Sequence, residues 1–169
     1  MSTRFPQCLA LAAVAATVAC ESSTEIESKL RFSGVLSGAK EKPTASTSTA
    51  TGQASVEISS NGTLTYSVAW SGLTGSVTGA HIHGPADTSN TAGVLLDFSA
   101  LPLTSTGQVM TTAATGAASG IVNVKPTAVI TFTVSGDSLV KLLNAGLLYV
   151  NIHTAANAVG EIRGQFRKQ

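Results

Sequence analysis

The chain has 169 residues, a formal net charge of +1, 11 % charged residues and 5 % aromatics. A near-neutral balance excludes the basic footprint that nucleic-acid binding requires, and the length suits one domain. Few charges, with Gly, Ser, Thr and Ala abundant, fit an all-β extracellular domain better than a helical cytosolic one.

The first twenty residues read as a secretory signal. Arg4 supplies a positive start, "CLALAAVAATVAC" a short apolar run, and small residues lead to Cys20. The run is too short to span a bilayer as a helix. Cys20 at the cut point has the placement of a lipidated first mature residue, although Thr17 stands where lipoprotein signals usually carry Leu. Thr17 and Ala19 would also allow ordinary signal-peptidase cleavage. The expected organisation is a signal over 1–19, a polar tether over 20–29 and one domain over 30–169. The expected location is the cell envelope, through a lipid anchor in the membrane, or secretion. Loss of Cys8 with the signal and use of Cys20 as anchor leave the folded domain without cysteine, so no disulfide supports it. Loss of Arg4 leaves nine basic and nine acidic residues.

Strand patterns begin with "KLRFSGVLSG", where Leu30, Phe32 and Val35 are the apolar points. A polar loop with Pro43 follows. "QASVEIS" alternates Ala54, Val56 and Ile58 with polar partners, and Asn61-Gly62 signals a type I′ hairpin turn. "TLTYSVAW" places Leu64, Tyr66, Val68 and Trp70 on one face, which makes Trp70 a core residue. "AHIHG" and "GVLLDF" are further strands. "STGQVMTTAATGAASG" has no strong pattern, and "AVITFTVSG" alternates Ile130, Phe132 and Val134. "GDSLVKLLNAG" is the one helical segment, with Asp137 or Ser138 as cap and Gly146 as stop. "LLYVNIH" and "GEIRGQF" close the chain as a strand pair. The predicted fold is an all-β, antiparallel Greek-key β-sandwich with one short helix.

Two segments echo each other. Ile82-His83-Gly84-Pro85-Ala86-Asp87 and Ile152-His153-Thr154-Ala155-Ala156-Asn157 share the pattern I-H-x-x-A-[D/N], and each leads through a loop to a glycine, Gly93 or Gly160. Strand parity sends Ile82 and Ile152 to the core and both histidines to the other face. Asp87 and Asn157 are expected to close the following turns.

The stretches "FSGVLSGAKEKPTASTSTATGQASVEI", "AHIHGPA", "GVLLDF" and "LLNAGLLYVNIHTAANAVGEIRGQF" resemble the chordin-type (CHRD) domain family over roughly residues 30 to 167. Family copies often carry Pro or Gly where Ala158-Val159 stands here. The resemblance implies an immunoglobulin-like β-sandwich outside the cell. It implies no reaction: animal chordins bind growth factors, and bacterial members are single-domain secreted proteins.

His81 and His83 stand two apart on a strand, so they share a face about 6.6–6.8 Å apart along it. With His153 from the echoed corner they form a candidate site for Zn or Cu, with Asp87 or Glu161 as carboxylate candidates. The competing reading is that His83 and His153 pin strand ends to backbone carbonyls. No nucleophile elbow, Ser/His/Asp order or paired carboxylates stand out, so a non-enzymatic binding or spacing module is expected. Its partners would be an extracellular protein or polymer, not nucleic acid. Arg163, Arg167 and Lys168 read as a solvated face that could meet an anionic polymer.

Overall fold

The computed structural model describes residues 29–98, 109–123 and 135–169. The signal, nearly all of the tether and the expected strand with Ile130, Phe132 and Val134 lie outside them.

Among the described residues ten strands form one antiparallel sheet. They are β1 (Leu30–Ser37), β2 (Thr51–Ile58), β3 (Thr63–Ser71), β4 (Val77–His83), β5 (Val94–Asp97), β6 (Val109–Met110), β7 (Gly116–Asn123), β8 (Tyr149–Thr154), β9 (Asn157–Gln165) and β10 (Arg167–Lys168). Helix α1 (Gly136–Asn144) precedes β8. The order is β5-β4-β8-β9-β1-β2-β3-β7-β6, with β10 also on β1. The sheet curls so that its two halves face each other. Tyr66 of β3 stacks on Phe98, just past β5, with centroids 4.7 Å apart. A Cβ on Gly52 of β2 would lie 3.1 Å from Ile162 of β9. The all-β, sandwich-like expectation is met by a single sheet bent at β9–β1, where Ser37 pairs with Arg163.

The halves differ in how their outer faces are treated. β3 buries every second residue and exposes the rest, the pattern of a sheet wet on one side. β4 and β8 are buried on almost every position. Their inner face is aliphatic, with Ala80, Ile82, Val150 and Ile152 in one core with Ile162 of β9. Their outer face carries polar side chains, yet loops cover it.

Several expectations shift. Val35 is 59 % exposed, because β1 runs without a bulge and its inward parity falls on Phe32, Gly34 and Leu36. The Asn61-Gly62 turn is not type I′: Gly62 has φ 80° and no non-glycine among the described residues, Asn61 included, has positive φ, whereas type I′ needs both central residues there. Instead, Gly62 N–H closes on Ser59 O, and Asn61 Oδ1 accepts from Thr63 N–H. Ser135, not Asp137 or Ser138, caps α1, accepting from Ser138 N–H at 3.3 Å. Gly146 ends the helix region at φ 66°, as expected. Leu139 and Leu143 are its buried residues. Trp70 is 3 % exposed and its Nε1 donates to Ala113 O, which places it in the core.

The patternless stretch 105–120 contains β6 and most of β7, and β7 pairs along β3 from Trp70↔Gly116 to Thr63↔Asn123. Its small residues fit the large ones opposite. A Cβ on Gly120 would lie 2.7 Å from the Tyr66 hydroxyl.

Candidate metal centre

β4 and β8 are neighbours, with His83 opposite Tyr149, His81 opposite Asn151 and Gly79 opposite His153. This register delivers the three imidazoles to one place. Ring centroids are 5.5 Å apart for His81–His83, 4.9 Å for His81–His153 and 6.3 Å for His83–His153. One nitrogen from each lies within 4.8 Å of the others. His81 Nδ1 and His153 Nε2 are 3.1 Å apart. Gly79 makes the approach possible, since a Cβ there would lie 2.8 Å from His81 Cε1 and 3.5 Å from His153 Cδ2.

Both outer histidines are pinned. His83 Nδ1 donates to Ala92 O at 2.9 Å, and His153 Nδ1 donates to Ala158 O at 3.0 Å. The first bond ties the end of β4 to the far part of its loop and the second ties β8 to the start of β9, so the sequence echo is a partial structural echo. A carbonyl only accepts, so each Nδ1 carries the proton and each Nε2 keeps its lone pair. His83 Nε2 is buried and has no hydrogen-bond partner in the protein. His153 Nε2 accepts from His81 Nδ1, so the pinning and ligand readings become compatible once the His81 proton moves to Nε2, on the Asp97 side. A ligating histidine ordinarily donates its second nitrogen to a carbonyl or carboxylate, which fixes ring and tautomer. His81 has a related contact: its Nε2 lies 3.8 Å from Asp97 Oδ1.

The electrostatics keep the rings neutral. Burial pushes His83 down to about 4, against the Ala92 carbonyl and the nearby Asn151 side chain, and the neighbouring imidazoles add to the push. Burial and then the charge of His153 lower His81, while Asp97 opposes. Burial lowers His153 against the Ala158 carbonyl. Neutral imidazoles are the form that coordinates metal.

The stack behind the cluster is ordered. The His83 ring lies parallel to Tyr149, centroids 4.9 Å apart at 3°, and the Arg163 guanidinium covers Tyr149 at 3.5 Å. Arg163 Nη2 donates to Asp87 O and Asn90 O, closing the 84–93 loop over the face. Arg163 is thus 2 % exposed rather than part of a solvated face, while Arg167 and Lys168 are exposed.

The two carboxylates expected from sequence are engaged elsewhere. Asp87 Oδ1 accepts from Ser89 N–H, Asn90 N–H and Asn90 Nδ2, closing its turn as anticipated. Asn157 does not repeat this: its Nδ2 donates to Thr74 Oγ1, because β9 begins at Asn157 itself. Glu161 accepts from Ser48 Oγ, Thr74 N–H, Thr74 Oγ1 and Thr154 Oγ1 at 2.5–2.8 Å. Desolvation pushes its carboxyl up, but these bonds outweigh it and hold it at about 2.

Sequence reasoning missed Asp97, Gly79, Asn151 and Glu41. Glu41 sits in a polar loop between two lysines, with no pattern to mark it. It is 2 % exposed, and its carboxyl group occupies the space a Cβ on Gly160 would take. Burial raises it to about 7, against Arg163 and polar contacts with the Lys42 backbone and Asn151. Among the described residues five buried side-chain polar atoms lack a protein partner, and four belong to this face: Glu41 Oε1, His83 Nε2, Asn151 Oδ1 and Arg163 Nη1. A concentration of unmet polar groups on one covered face calls for partners there, whether ordered water or an ion.

Chemically, three nitrogen donors without thiolate suit Zn(II) or Cu(II). Zn–N bonds near 2.0–2.1 Å imply ligand nitrogens about 3.3 Å apart in a tetrahedron. The His81–His153 pair is already near that separation, and His83 must move in by roughly 1–2 Å.

Comparison with curated proteins and with solved structures gave no match. The family model described as "CHRD domain" matches residues 32–166, the span from β1 to the last core residue before β10. The chain belongs to the CHRD domain family.

Proposed function

We propose that this CHRD domain is a non-enzymatic binding module, held at the cell envelope through a lipid on Cys20, whose binding chemistry is a divalent transition-metal site. His81, His83 and His153 are its ligands and Zn(II) or Cu(II) its ion. One observation carries the reading: three imidazoles converge, two pinned through Nδ1, with a buried unbonded Nε2 on His83. Asp97 would act as a carboxylate behind His81 or as a further ligand. The paired use of Nδ1 for a carbonyl and Nε2 for the ion gives the rings fixed orientation before binding, which lowers the ordering cost.

Calorimetric titration of the purified chain with Zn(II) and with Cu(II) tests the site. Saturable binding of one ion is expected, lost or strongly weakened in His83→Ala and in His153→Ala. Absence of binding by the wild-type chain, or binding by either variant as tight as that of the wild type, refutes it. Membrane fractionation of wild type and Cys20→Ala tests the anchor, and an unchanged membrane share in the variant refutes that part.

A further inference from the structure

A second feature lies apart from the histidines. β1, the Gly38–Lys42 segment and the C-terminal strands enclose a groove of about 530 Å³. Four cations line it, Lys40, Lys42, Arg163 and Arg167, together with the Ser33 and Thr88 side chains, and no carboxylate among the described residues does. The ion pairs among the described residues are Lys29–Glu57, Arg31–Glu57 and His81–Asp97, so none of the four cations has an anionic partner within 4.0 Å.

Their contacts orient them, and the charges of Glu41 and Asp87 offset that of Arg163 only in part. Lys40 Nζ donates to Val35 O, Arg167 Nη1 to Gly146 O, and Arg163 Nη2 to Asp87 O and Asn90 O. Arg163 is 2 % exposed, and its Nη1 has no partner in the protein. Glu41, between the two lysines in sequence, is buried, and burial holds its carboxyl near 7. It therefore offsets the lysines only partly at neutral pH. Arg163 and Arg167, four residues apart on an extended run, are about 13 Å apart along the groove. That spacing and volume exceed a single small anion and span several sugar units of a charged chain.

We propose that this groove binds an anionic polysaccharide through its carboxylates. The charge is one-sided, the cations are spread along the groove, and hydroxyls suited to sugar contacts lie between them. No aromatic side chain lines it, so the stacking platform of single-stranded nucleic-acid sites is missing. His81, His83 and His153 do not line the groove; Arg163 is common to both faces, and the variants below therefore leave it in place.

The test is titration of the purified chain with labelled polygalacturonate at low and at physiological salt. Neutral dextran and single-stranded DNA of equal charge are the comparison ligands. Binding of polygalacturonate that weakens with salt is expected, with none of dextran. Lys42→Glu combined with Arg167→Glu should weaken it by about tenfold or more, whereas Lys141→Glu on α1 should leave it unchanged. Failure of the wild-type chain to bind polygalacturonate at low salt overturns the proposal. So does an equal loss in Lys141→Glu, or DNA binding as tight as polygalacturonate binding, which would mark a nonspecific or nucleic-acid surface.

Discussion

Glu41 and His83 make opposite demands on pH, and replacing Glu41 with Gln exposes the balance. The Glu41 carboxyl sits near 7 in the fold against an ordinary 4.5. Between those values the folded chain holds a proton that the unfolded chain has released, so this group's stabilisation is complete below 4.5 and gone above 7. The shift corresponds to up to about 3 kcal/mol. His83 runs the other way, from an ordinary 6.5 down to about 4. Between those values the unfolded chain binds the proton, so stability falls on acidification from 6.5 toward 4, again by up to about 3 kcal/mol. In the wild type the two nearly cancel between pH 7 and 4.5, leaving His81 and His153 to tip the balance toward acid loss. Glu41→Gln deletes one side. The variant gains on the wild type at pH 8 and loses that advantage at pH 4.5, the difference changing by about 3 kcal/mol. Urea denaturation of both proteins at pH 8, 6 and 4.5, in chelator to exclude metal, reads this directly through the midpoint. Parallel pH profiles for the two proteins would refute the argument, since they would mean the Glu41 carboxyl is not forced to hold its proton.

Gly79→Ala places a methyl where His81 Cε1 would be 2.8 Å away. It should weaken Zn(II) or Cu(II) binding about tenfold or more by displacing that ring, while costing the metal-free fold about 1–3 kcal/mol; calorimetry and urea midpoints separate the two. Glu161→Ala removes the acceptor shared by Ser48, Thr74 and Thr154 in a residue that is fully buried. Denaturation should show a loss of about 3 kcal/mol or more at neutral pH, because the donors stay buried without a partner. A loss under about 1 kcal/mol would show that the network has little worth.

Much of the fold could be read locally because alternation is a local property. β2 and β3 were visible as Ala54-Val56-Ile58 and Leu64-Tyr66-Val68-Trp70, and both bury those residues. The end strands and α1 were visible for the same reason. β7 was not, because a strand of Gly, Ala and Ser has no apolar period; what selects it is the bulk of Tyr66 and Trp70 opposite. Val35 was misplaced because glycines on either side hide the parity of β1. The site divides in the same manner. His81, His83 and His153 were legible from spacing and from the repeated I-H corner. The partners were not: Asp97 reaches His81 from the edge strand, and Glu41 reaches the covered face from a loop about a hundred residues from β8 and β9.

By itself the sequence determined the all-β class, the inward sets of most strands, the matching corners and the identity of the three imidazoles, because each is encoded within a few neighbouring residues. Only the tertiary structure decided that the polar face of β4 and β8 is covered, that Gly79 opens the space in which the rings meet, and that four cations gather along one groove. Those depend on strand register and loop closure, where residues far apart in the chain compete for the same volume and the same hydrogen bonds.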